Sequence, residues 1–150
     1  MHEEKCLEKR TVYQGPSFSI RQDRVELEDG RESRREVICR PHRVLALVYD
    51  EQRRVLAGEK GHLLRRPMSP GESPEDAAGR LFAALGGEEP RFLGQIMPSP
   101  AVLQEKVLVF AGKGSGQAPE GLSWMPLSQG LEGDDLCTAA ALALWALGEE

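Results

Sequence analysis

Two adjacent arginines, Arg65 and Arg66, stand a few residues before a glycine-bounded stretch, Gly71 to Gly87. Two neighbouring cations can face a diphosphate; an exposed structural role is the other reading the pair allows. The three histidines, His2, His42 and His62, lie on separate segments without metal-ligand spacing, so the sequence offers no zinc site. Gly112-Lys113-Gly114-Ser115-Gly116 superficially suggests a phosphate loop, but it lacks the G-x-x-x-x-G-K-[ST] spacing and precedes no helix. Cys6, Cys39 and Cys137 are far apart, odd in number and in no C-x-x-C arrangement. They suit reduced thiols rather than a disulfide framework, and none has the sequence context of a nucleophile.

The stretch these arginines lead into reads G-E-S-P-E-D-A-A-G-R-L-F-A-A-L-G-G, a loop followed by one short helix. Ser73 can accept from the free N–H groups of the first turn, and Pro74 sits where a missing N–H does no harm. Glu75 and Asp76 face the positive end of the helix dipole, and Gly86-Gly87 supplies a left-handed stop. The expected helix is therefore Pro74 to Leu85.

The same stretch resembles the Nudix box, a loop and helix written G-x5-E-x7-R-E-U-x-E-E-x-G-U, with U a bulky apolar residue. Glu72, Arg80, Phe82 and Gly87 fall on fixed positions of that pattern. Arg66 stands where the pattern has its opening glycine. Leu81, Ala84 and Leu85 stand where it has three glutamates. In the family those glutamates share one helix face, where hard oxygens hold Mg2+ or Mn2+ against a substrate diphosphate. An aliphatic face cannot do this, so no metal cofactor is expected. The surviving pair, Glu72 with Arg80, is in the family the pair that braces the loop against the helix. Leu81 and Leu85 also widen the apolar stripe begun by Ala77, Ala78 and Phe82, so these leucines are expected to be covered, with Leu63 and Leu64 as the cover.

Further segments carry the resemblance toward the ADP-ribose pyrophosphatase branch of the Nudix (MutT-like) superfamily. Val12-Tyr13 through Phe18, then V-E-L-x-D-G and R-E-V-I, resemble its N-terminal sheet, which in that branch commonly packs on a second subunit. Met97 to Glu105 resembles its S-P-G-x-x-x-E loop, with Ala101 in the glycine place and Glu105 in the place of a glutamate that helps at the active site. Glu120 is the one acid of Gly112–Gly121, where the enzymes have an acidic loop contributing a general base; the segment is more simply a mobile tip. Glu59 and Lys60 follow where the enzymes have a glutamine and an arginine that touch substrate, and in the trimmed loop after them Arg65 and Arg66 are the cations that could face a diphosphate or serve an exposed structural role. Ser128 to Thr138 resembles the branch's closing G-x-I-x-D-A-x-T pattern.

The remaining elements follow from local pattern. Thr11–Tyr13, Ser17–Arg21 and Asp23–Leu27 read as short strands, and Asp29-Gly30 as a two-residue hairpin turn before Glu36–Cys39. Val44–Tyr49 is a six-residue apolar run, the mark of a central strand covered on both faces. Val55–Gly58, Phe92–Ile96, Lys106–Ala111 and Leu122–Leu127 are further strands, and Gly61–Arg66 a short loop. The closing helix is expected over Cys137–Leu147, capped by Asp135 or Thr138, with Leu136, Ala140, Leu144 and Leu147 as its buried stripe. Trp145 suits the core or an interface better than a base stack.

At 150 residues the chain is long enough to hold a real core unaided. Its net charge of -5 gives no whole-chain case for nucleic acid. The arginines crowded between Arg31 and Arg54 suit solvated surface, a dimer rim or an anion-binding wall. The charged N-terminus lacks an apolar export core, and the C-terminal apolar run is too short to span a bilayer, so the cytoplasm is the default.

The resemblance implies an α/β protein, a Nudix α/β/α sandwich with a mixed sheet over residues 41–150 and an antiparallel β extension over residues 1–40, assembled as a homodimer. Two functions stand. One is a non-catalytic module that binds a nucleotide-diphosphate compound or a protein partner. The other is a hydrolase of ADP-ribose-like substrates that recruits Mg2+ through Glu72, Glu105 and Glu120.

Overall fold

The computed structural model describes residues 4–99 and 102–148. In chain order its strands and helices are β1 Lys5–Gln14, β2 Ser19–Glu26, β3 Glu32–Cys39, β4 Arg43–Tyr49, β5 Arg54–Ala57, β6 Leu64–Pro67, α1 Pro74–Leu85, β7 Glu88–Ile96, β8 Leu103–Gln104, β9 Val107–Lys113, β10 Ser123–Pro126, α2 Leu127–Leu131 and α3 Leu136–Gly148. These form two compact units, one from Met1–Pro41 with Ser99–Glu105, the other from His42–Pro98 with Lys106–Glu150.

The smaller unit is a four-stranded sheet in the order β1-β2-β3-β8. β1, β2 and β3 run antiparallel, and β8 joins β3 in parallel through Ile38 opposite Leu103. The short strands expected here merge into two longer ones, because each N–H and C=O finds a ladder partner across the sheet. The turn is also longer than two residues. Pairing ends at Glu26 opposite Glu32, the N–H of Leu27 donates to the carbonyl of Arg31 at 2.8 Å, and Gly30 takes φ 84°. Little apolar surface is buried in this unit: Val25 is its one buried hydrophobic residue among those described. Asp23, also buried, is held by Arg21 through two bonds of 2.6 and 2.9 Å. That bond raises the pKa of the Arg21 guanidinium.

The larger unit carries a sheet in the order β10-β5-β4-β9-β7, with β6 paired to β4 as well. β4 and β9 are parallel from Arg43 opposite Val107 to Tyr49 opposite Lys113, and the other pairings are antiparallel. The apolar run of β4 serves two cores at once. Leu45 and Leu47 pack with Val55, Val107, Val109 and residues of α3, whereas Val44, Ala46 and Val48 pack with Leu56, Leu108, Phe110 and residues of α1. A strand alternates its side chains between faces, so a continuous hydrophobic run requires a layer on each side. The expected α/β/α sandwich is therefore present in this unit.

Three local expectations are corrected. Residues 64–67 form a strand rather than loop, because β4 offers them a free ladder edge. The α3 stripe is rotated: Cys137, Thr138, Ala141, Leu142 and Trp145 are buried, while Leu136 and Leu147 are 66% and 74% exposed. An alanine- and leucine-rich helix is apolar nearly all round, so its sequence leaves the buried side open. Gly112 and Lys113 belong to β9 rather than to a loop. A Cβ on Gly112 would lie 2.6 Å from the Glu88 carbonyl and 2.7 Å from the Phe82 ring, so glycine is what lets α1 seat against the sheet.

Candidate functional site

The helix α1 begins and ends as its sequence dictates. Ser73 accepts from the N–H of Asp76 at 3.1 Å, Pro74 opens the first turn, and Gly86 closes the helix at φ 73°. Glu72 ties the preceding loop to this helix. Its Oε1 accepts from the N–H of Ser69 at 3.0 Å and from Arg80 Nη2 at 2.9 Å. Those bonds engage one oxygen of the Glu72 carboxylate, Oε1.

One face of α1 borders a cavity of about 230 Å³ lined by Arg66, Ala77, Arg80, Leu81 and Ala84. The four helical residues stand at i, i+3, i+4 and i+7, one stripe of a helix. The three positions that would carry glutamates have different fates. Leu81 is 5% exposed and joins the core with Phe82, Leu85 is half-buried against the same core, and Ala84 is exposed. Leu63 is not their cover, since it packs in the opposite core beside Leu142 and Trp145. The α1 core is instead flanked by Met68, Ala118, Leu122 and Trp124.

The two arginines part company because β6 is a strand. Arg66 lies opposite Val44, on the α1 side of the sheet, while Arg65 lies opposite Leu45. Arg65 reaches Asp135, with Nη2 to Oδ2 at 3.1 Å and Nη1 to Oδ1 at 3.2 Å. Asp135 also accepts from the Thr138 hydroxyl at 2.6 Å and the Thr138 N–H at 3.3 Å, so it caps α3. Thr138 Oγ1 in turn accepts from the buried N–H of Leu63 at 2.9 Å. Burial pushes the Asp135 carboxyl up, but the Thr138 hydroxyl and the Arg65 charge outweigh it and hold the group below its ordinary value. Arg65 is thus engaged in a structural network. The Arg66 side chain makes no hydrogen bond or ion pair among the described residues and remains exposed at the cavity.

The remaining acids belong to other segments. Glu105 is buried in the smaller unit, 4.0 Å from Arg40. Glu120 is exposed on the segment between β9 and β10. Two groups of that segment are bonded: Trp124 Nε1 donates to the Gly116 carbonyl at 3.0 Å and the Gly114 N–H to Tyr49 O at 2.8 Å. Pro100 and Ala101 of the S-P-G-like loop, and His2, lie outside the described residues. His62 pairs with Asp134 at 3.2 Å, and His42 Nδ1 accepts from the N–H of Lys106 at 3.0 Å. Trp145 is buried and stacks on Tyr49 with ring centroids 4.9 Å apart, a core role. Among the described residues no three His, Cys, Asp or Glu side chains are grouped to hold a metal. The donor set of the α1 face does not fit a hard divalent cation.

Sequence reasoning missed Arg80 as a cavity wall and Asp135 as the partner of Arg65. For Arg65 the parity of β6 was the available signal, since neighbouring residues of a strand face opposite ways.

Residues 4–38 match the family model described as the nucleoside diphosphate sugar hydrolase N-terminal domain. A solved structure described as an ADP compounds hydrolase superposes with a TM-score of 0.69 at 19% identity, over 98% of this chain and 96% of that one. No curated protein matches the chain. The chain shares the mixed-sheet α/β fold of that structure. With the N-terminal match, the shared fold bears out the resemblance to the ADP-ribose pyrophosphatase branch of the superfamily.

Proposed function

We propose that this chain is a Nudix-fold module that binds nucleoside-diphosphate compounds without hydrolysing them at an enzyme's rate. The observation that carries this reading is the aliphatic α1 face. Leu81 and Ala84 line the cavity beside two arginines, and no carboxylate is among its lining residues as described. Phosphoryl chemistry of this class needs a cation to gather charge on the diphosphate, and a cation needs several hard ligands at once. The solved relative's description as an ADP compounds hydrolase supports the ligand class.

The reading includes a homodimer formed through the N-terminal sheet, supported by the exposure of Val12, Tyr13, Ile38 and Val102 in a unit with almost no core of its own. It also includes a cytoplasmic setting, supported by three free thiols, Cys6, Cys39 and Cys137. No helix is long and apolar enough to cross a membrane among the described residues.

The test is hydrolysis of ADP-ribose, nucleotide sugars and dinucleoside polyphosphates with Mg2+ or Mn2+ present. Turnover at background is expected. Turnover of about 1 per second or more, ordinary for enzymes, that disappears in Glu105→Gln would establish the other reading, a Mg2+-dependent hydrolase using carboxylates outside the box.

A further inference from the structure

The cavity on α1 differs from a metal-dependent phosphate site in the sign of its own charge. Where carboxylates would bring a cation, Arg66 and Arg80 bring two guanidinium groups to an apolar floor of Ala77, Leu81 and Ala84. One carboxylate, Glu72, is bonded to this pair among the described residues, through Arg80 Nη2. Arg66 keeps its whole fork unspent, and Arg80 keeps the donors that Glu72 does not take. Both side chains are exposed, so an incoming anion displaces water and not a protein partner.

We infer that this cavity binds the diphosphate of its ligand directly through Arg66 and Arg80, without a metal, and that Mg2+ weakens the complex. The inference rests on the ligand class proposed above and adds the mode of binding. A planar guanidinium matches two phosphate oxygens at once, and charge-assisted bonds of this kind are about twice as strong as neutral ones. At about 230 Å³ the cavity is smaller than the roughly 300 Å³ at which whole-ligand pockets begin, so it takes the charged group and leaves the rest of the compound outside. Mg2+ chelated to the diphosphate covers the oxygens that the two forks need and lowers the negative charge they attract. A carboxylate face would recover that loss by ligating the ion; Leu81, Ala84 and Leu85 cannot.

Calorimetric titration of the full-length protein with ADP-ribose and with inorganic pyrophosphate, each in EDTA and in millimolar Mg2+, tests this. Tighter binding in EDTA is expected, with a loss of about tenfold or more in Arg66→Ala and a smaller loss in Arg66→Lys, which keeps the charge and removes the fork. Thermal melting of each variant confirms that it is folded. Binding that requires Mg2+, or that survives Arg66→Ala unchanged, overturns the inference while leaving a nucleotide-binding module in place. Binding of neither probe under either condition ends both the inference and the function it rests on.

Discussion

The two sheets of this chain hold their apolar residues in opposite ways. In the larger unit Val44, Leu45, Ala46, Leu47 and Val48 are each at most 1% exposed, divided between the α1 and α3 cores. In the smaller unit β1 is exposed along almost its whole length, and its residues Val12 and Tyr13 are 49% and 47% exposed. A helix on each face explains the first. The second is a ladder whose hydrogen bonds are satisfied between strands but whose apolar side chains are left for something else to cover. Stability should therefore be concentrated in one unit, and assembly in the other.

The sharpest way to break that contrast is Leu47→Ala. Leu47 is fully buried, and truncation leaves a cavity among Val55, Val109 and Trp145. A loss of about 4 kcal/mol is expected in urea denaturation. A loss under about 1 kcal/mol would mean that the two-core sandwich does not carry the stability of the chain.

Leu81→Glu asks whether the aliphatic α1 face is core or cleft. Leu81 is 5% exposed and packs with Phe82, so a glutamate there loses burial and carries a charge inward. Destabilisation of about 3 kcal/mol is expected. An unfolding midpoint unchanged without metal and raised by Mg2+ would show that the face is a latent cation site.

How much of this was legible beforehand follows from how local each signal is. The bounds of α1 and its caps are set by Ser73, Pro74 and Gly86 within the segment itself, so sequence reading placed them. The β4 run was legible because six apolar residues in a row admit few environments. β6 was not, since Leu64-Arg65-Arg66-Pro67 becomes a strand only by pairing with residues some twenty positions away. The same miss hid the separation of Arg65 from Arg66, and with it an unengaged guanidinium at the α1 cavity. The short helix α2 also escaped, because Pro126 precedes it with no side-chain cap to announce it.

Asp135 sharpens the contrast from the acid side. Its carboxyl is 13% exposed and held below its ordinary value by Thr138 and Arg65, which outweigh the upward push of burial. A group depressed in the folded state stabilises above its unfolded pKa, about 3.9, and loses that contribution as the pH falls through the folded value. Asp135→Asn keeps the cap acceptor and removes the charge, so it should cost about 1–2 kcal/mol at neutral pH. Its stability should begin to converge on that of the parent as the pH falls below about 4, and meet it below the folded value. Equal stabilities at pH 7 would show that the Arg65 pair contributes nothing to seating α3.

The smallest effect on folding is expected where the effect on assembly is greatest. Val12 sits on the edge strand β1, half exposed, with no apolar core beneath it in its own unit. Val12→Lys should change unfolding free energy by no more than about 0.5 kcal/mol in the isolated chain, as surface substitutions usually do. In a dimer joined through this sheet the same lysine meets a second copy, and a charge on an edge strand is a common device for preventing edge pairing. Sedimentation at micromolar concentration should therefore give a dimer for the parent and a monomer for the variant, with matching urea midpoints once both are diluted to monomer. A monomeric parent would sink the dimer outright. A variant that stays dimeric would move the interface away from β1 and leave the exposed apolar residues of this sheet to a different partner.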